Sequence, residues 1–138
     1  VGSDTDIAVI AEIFAQMERA HSNRSGAEEA RLDADFHLAI VEAGHNIVML
    51  HMMRAMYRLL REGVFYNRQA LFRQRVTRGA LLDQHRAIRD AIAERNAEGA
   101  RSAVEDHLDY VEAAMLDLRR AEHNEEIARQ RLEHTRRE

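Results

Sequence analysis

At 138 residues the chain is long enough to bury one hydrophobic core without disulfides and short enough to be a single domain. It has no proline, tryptophan or cysteine and only 5% aromatics, which favours helix over sheet and rules out disulfides and thiolate metal sites. The net charge is −4, and twenty basic residues, all arginine, lie scattered among twenty-four acids, a surface that would repel a phosphate backbone.

The first expected helix runs from about 4 to 21. Ser3 and Asp6 form a capping pair ahead of Ile7, Ile10, Phe14 and Met17 at helical spacing. A polar loop, residues 21–26, leads to a second helix from Ala27 to Ala43, with Gly44 placed to close it in a left-handed cap. A third helix begins near Asn46 and carries Ile47, Leu50, Met53, Met56, Leu59 and Leu60, with a bend at Gly63 before 64–72. Residues 73–77 read as a polar connection. The fourth helix, about 78 to 95, aligns Leu81, Leu82, Ile88 and Ile92. Asn96 ends it, and the last helix starts at Ala97, with apolar residues thinning out after Met115 into a charged tail, solvated or frayed. Short connections imply an antiparallel helical bundle.

No apolar run approaches the ~18 residues that span a bilayer, and the N-terminus carries no secretion signal, so a cytoplasmic location and no membrane partner are expected. No segment reads as a helix-turn-helix with a basic recognition helix, so any DNA contact must be made by another part of the parent protein.

One set of residues points to chemistry. Asp33 and His37 are four apart on the second helix and share a face, although alone such a pair adds only a few tenths of a kcal/mol as a surface contact. His85 lies on the inward stripe Leu81, His85, Ile88, Ile92, and His107 on the series Ala100, Val104, His107, Val111, Met115. Each histidine by itself is better read as a core residue bonded to a carboxylate or a carbonyl. Three histidines and an aspartate on three helices, all facing inward, match the way bundles build metal sites.

The string Asp33-Ala-Asp-Phe-His37-Leu-Ala-Ile-Val-Glu-Ala-Gly-His-Asn46, with Gln84-His85-Arg-Ala-Ile88 and Glu105-Asp-His107-Leu108, resembles the FCD effector domain of FadR-type GntR transcription regulators over about residues 4 to 120. The metal-binding subgroup has an aspartate, a histidine four residues on, a third ligand about fifty later and a fourth about twenty beyond; here the last two steps are 48 and 22 residues. Gly44-His-Asn-Ile-Val-Met-Leu-His51 and the charged tail are similar to regulators of pyruvate, lactate and glycolate metabolism.

The resemblance implies that residues 1–120 form an effector-binding and dimerising domain and 121–138 a charged tail. Asp33, His37, His85 and His107 would hold one divalent ion, zinc first, with nickel or manganese also suited to nitrogen and oxygen donors. It implies a small carboxylate effector, a homodimer and no enzymatic activity. DNA would be bound by a winged helix-turn-helix domain that these residues do not contain. The family's first effector-domain helix, whose basic residue meets the effector, also finds no match ahead of Ser3, leaving the anion clamp either incomplete or supplied by another arginine. Asn46, Arg54, Arg58 and Tyr66 are the further candidates for effector contact, with capping the simpler role for Asn46 and a solvated face for the others. His21, His45, His51, His123 and His134 are expected on the surface or in loops.

Two alternatives compete. A metal-dependent hydrolase or oxygenase would use the same ion, but no separate general base and no H-E-x-x-H pattern accompany it. A metal-free helical dimerisation module would bond its inward histidines to one another or to buried acids and present Met49, Met52, Met53 and Met56 to a partner.

Overall fold

The computed structural model describes residues 2–59 and 75–136, without the side chains at 47, 55–59, 75 and 76. Among the described residues there are five helices and no strand: α1 (Asp4–Ser22), α2 (Gly26–Ala43), α3 (Ile47–Leu59), α4 (Arg75–Ala93) and α5 (Ala97–Thr135). The expected bend at Gly63 and segment 64–72 lie outside the described residues. No described helix is long and apolar enough to cross a membrane.

Local chemistry sets the starts. At α1 the Ser3 hydroxyl accepts from the Asp6 N–H, and the Asp6 carboxylate accepts from the Ser3 N–H at 2.8 Å, a reciprocal capping box. Asn46 Oδ1 accepts from the Met49 N–H at 3.0 Å at the head of α3, and Asn96 Oδ1 accepts from the Gly99 N–H at 2.9 Å at the head of α5.

The stops differ from expectation at α2. Gly44 is right-handed (φ −73°) because its N–H still reaches back to Ile40 and Val41, so the left-handed position falls on His45 (φ 53°). The other two described turns are built alike, with Arg24 (φ 54°) and Arg95 (φ 54°) in the left-handed region. In both, the residue after the arginine donates to a carbonyl five residues back, Ser25 to Ala20 and Asn96 to Ala91, which identifies Schellman closures lacking the usual glycine. Helix α4 includes Arg75 to Thr77, so these residues are helical and not a connection. Asn96 does not end α4 but caps α5.

Helix α1 packs against α2 and α4, α4 against α5, and α2 against α3. The main core joins Ile10, Phe14, Met17 and Ala20 of α1 to Leu32, Phe36, Ala39 and Ala43 of α2 and Ile88 of α4. A second cluster, Ala30 and Leu81 with Tyr110, Val111, Ala114 and Met115, joins α2, α4 and α5. Burying a side chain such as Phe14, Phe36 or Ile88 stabilises the fold by about 1.5–3 kcal/mol relative to leaving it in water. The charged tail is one continuous helix out to Thr135, nearly all of it exposed beyond Leu118. On α3, Met49 and Met52 are exposed, and Met56 lies outside the described side chains.

Candidate metal centre

Between the two core clusters, α2, α4 and α5 bring four polar side chains together. Asp33 and His37 sit one turn apart on α2, His85 faces them from α4, and His107 enters from α5. One donor atom from each lies within 4.8 Å of all the others. His85 Nε2 is 2.9 Å and His37 Nε2 3.4 Å from Asp33 Oδ1, and His107 Nε2 is 3.2 Å from His37 Nε2. Donors bound at about 2.1 Å lie ~3.4 Å apart around a tetrahedral ion and ~3.0 Å apart around an octahedral one. Two of the three edges, 3.2 and 3.4 Å, fall in that range and the third, 2.9 Å, is just below it, and the nitrogen and carboxylate oxygen set fits a borderline divalent ion.

The surroundings are apolar and close-packed. Asp33 is 5% exposed, His85 0% and His107 2%, and the Phe36 ring meets the His85 ring edge-on at 5.2 Å. Behind Phe36, Phe14 of α1 is covered on its outer side by the Arg89 guanidinium at 4.4 Å, so α1 shields the site without giving it a ligand. Burial alone would push the Asp33 carboxyl up. The charges and hydrogen bonds of His37 and His85 outweigh that and hold it well below the usual carboxylate range, so a carboxylate anion faces the three rings. Among the described residues, the space against His85, bounded by Met17, Glu29 and Leu82, is only about 10 Å³.

All four residues singled out from the sequence as ligands meet here. The four effector candidates fare differently. Asn46 is engaged as the α3 cap, and Arg54 donates to Glu42 at 2.8 Å on an exposed face. The Arg58 side chain and Tyr66 lie outside the described residues. His45, His51, His123 and His134 are exposed, and His21 is partly so. A cavity of about 230 Å³ opens at the other end of the bundle among Ile7, Ile40, Ala43, Ile92 and Arg95; none of the four site residues lines it.

Two polar residues beside the site were not singled out from the sequence. Gln84, next to His85, places its Oε1 2.8 Å from His107 Nδ1. Glu29, one turn before Asp33, is 3% exposed and faces Arg78 at 3.4 Å and His21 at 3.4 Å. Burial raises the Glu29 carboxyl above its ordinary range against the opposing pull of Arg78 and His21. The signal for both was available: Gln84 shares the stripe of Leu81 and Ile88, and Glu29 that of Leu32 and Phe36, so each is a polar residue at a helical core position.

This chain belongs to the FCD domain family, whose model matches residues 2–110, a segment that contains all four residues of the cluster. It is therefore a regulatory domain and not an enzyme. Among its relatives is a regulatory protein of Escherichia coli (strain K12) named for the L-lactate dehydrogenase operon, 41% identical over 86 residues, which are 62% of this chain and 33% of the relative. The Shigella flexneri protein of the same name matches equally. The Glc operon transcriptional activator of E. coli (strain K12) is 30% identical over 121 residues, 86% of this chain and 48% of that protein. The chain thus spans a third to a half of the length of these relatives.

Proposed function

We propose that this chain is the effector-sensing domain of a GntR-type transcription regulator, in which Asp33, His37, His85 and His107 hold one divalent ion that receives a small carboxylate. The observation that carries the reading is the convergence of four donors from three helices within 4.8 Å, three of the four buried and inside a matched FCD segment. Zinc suits the donor set first, with nickel and manganese as alternatives. The relatives named for lactate and Glc operons support a small hydroxy- or keto-acid as effector.

When bound, the ion supplies coordination positions for a carboxylate and its neighbouring hydroxyl or keto oxygen. The protein's part is to keep Asp33 ionised, to aim three imidazole nitrogens at one point and to exclude water with the Phe36 and Phe14 rings. Because the ligands sit on three helices, an effector that prefers one arrangement of α2, α4 and α5 shifts the domain toward it; equal affinity for both arrangements would shift nothing. Residues 1–120 act as the sensing and dimerising unit and 121–138 as a helical tail, with DNA bound by a separate domain in a cytoplasmic homodimer.

A metal-free core network remains the competing account, since the same contacts between His85 and Asp33 and between His107 and His37 serve it. Plasma mass spectrometry on tag-free protein decides between them. About one ion per chain in the wild type, lost in His85→Ala, is the expected result, followed by calorimetric binding of lactate, pyruvate or glycolate only to metal-loaded protein. No metal in the wild type even after reloading would sink the chelation reading.

A further inference from the structure

We infer that Gln84 is a positioning residue for the metal centre, holding the His107 ring as its Nδ1–H tautomer so that the Nε2 lone pair faces the other three donors. The inference rests on the reading of Asp33, His37, His85 and His107 as a metal site and adds a residue to it. The geometry is direct: Gln84 Oε1 lies 2.8 Å from His107 Nδ1, while Nε2 of the same ring lies 3.2 Å from His37 Nε2. A carbonyl oxygen only accepts, so Nδ1 must donate, and a neutral imidazole that donates from Nδ1 keeps its lone pair on Nε2. The ring is 2% exposed, so water does not offer an alternative partner for Nδ1.

The placement along the chain strengthens the case. Gln84 and His85 are consecutive on α4, so one turn of that helix contributes a donor to the site and orients the donor that comes from α5. The contact spans 23 residues, and α4 and α5 pack directly against each other, so the orientation is set by a helix pair and not by a loop. Histidines that bind metal through one nitrogen generally donate the other N–H to a carbonyl or carboxylate, and losing that partner weakens metal affinity about 10- to 100-fold. Were the Gln84 amide reversed, its NH₂ would donate to Nδ1, the proton would move to Nε2, and His107 would be unable to ligate.

The test uses the full chain, wild type beside Gln84→Leu and Gln84→Glu. Long-range proton–nitrogen NMR of the metal-stripped wild type under mildly alkaline conditions should show His107 as the Nδ1–H tautomer, and competition with a chromophoric chelator gives the affinity for zinc. Gln84→Leu should weaken zinc binding about 10- to 100-fold, and Gln84→Glu, which restores an acceptor, should recover it. Thermal unfolding of the stripped proteins checks that Gln84→Leu is folded, and the His107 tautomer, which should lose its Nδ1–H preference in Gln84→Leu, is a readout that a packing role would not move. An Nε2–H tautomer in the wild type, or zinc affinity unchanged in Gln84→Leu, overturns the inference. Failure of the wild type itself to bind zinc is distinct: it overturns the metal reading and the positioning role together, because it affects all three proteins alike.

Discussion

Asp6 shows how much one partly buried side chain connects. Its carboxylate accepts from the Ser3 N–H and hydroxyl and lies 2.8 Å from His45 Nε2, tying the start of α1 to the turn after α2. The backbone and side-chain hydrogen bonds from Ser3, with a further one from His45, lower its pKa to about 2, against an ordinary 3.8. A folded value below the unfolded one means that the stabilising contribution is complete above 3.8 and is lost as the pH falls toward about 2. Urea midpoints measured across that interval should fall in the wild type, and Asp6→Asn should lose part of that acid dependence while being less stable near neutrality. The capping pair itself was legible, because Ser and Asp three apart ahead of an apolar period have a local mechanism. The His45 contact was not, since it joins positions 39 residues apart and depends on His45 taking the left-handed turn position that glycine was expected to hold.

Among the elements, the turns are the points of strain. Arg24 and Arg95 occupy a left-handed conformation that costs a residue with a Cβ about 1 kcal/mol or more. Arg95 has compensation, because its guanidinium donates to the Gly2 carbonyl and to Asp4. Arg24 is exposed, and glycine there relieves the strain at some cost in unfolded-state entropy, so Arg24→Gly should raise stability by about 0.5–1 kcal/mol, read as a higher urea midpoint at unchanged slope. Helix existence and phase were legible because the apolar period is strong in α1 and α4, where Ile10, Phe14 and Met17, and Leu81, His85 and Ile88, are indeed buried. Boundaries were less so. Arg75 to Thr77 looked like a connection because arginine and threonine carry no apolar signal, yet Thr77 is 7% exposed within α4.

Over the whole molecule, the convergence of the four donors was readable because they fall at fixed steps on three inward faces, whereas Gln84, although it lies on the stripe of Leu81 and Ile88, could not be paired with His107 until α5 was laid against α4. Because the four donors come from α2, α4 and α5, an ion held by them as proposed would be specific to the folded state, since an unfolded chain does not hold them together. Zinc at a free concentration of about 100 times its dissociation constant should stabilise the fold by roughly 2.7 kcal/mol, seen as a higher thermal midpoint that chelator reverses; equal midpoints with and without zinc would contradict it. The length of α5 adds a mechanical consequence. His107 lies near the start of a 39-residue helix, and the 28 residues beyond it reach ~42 Å along the axis. A tilt of ~5° about His107 therefore carries Thr135 through ~4 Å, so a small change in the angle at which α5 leaves the cluster becomes a displacement large enough to remake contacts at its tip.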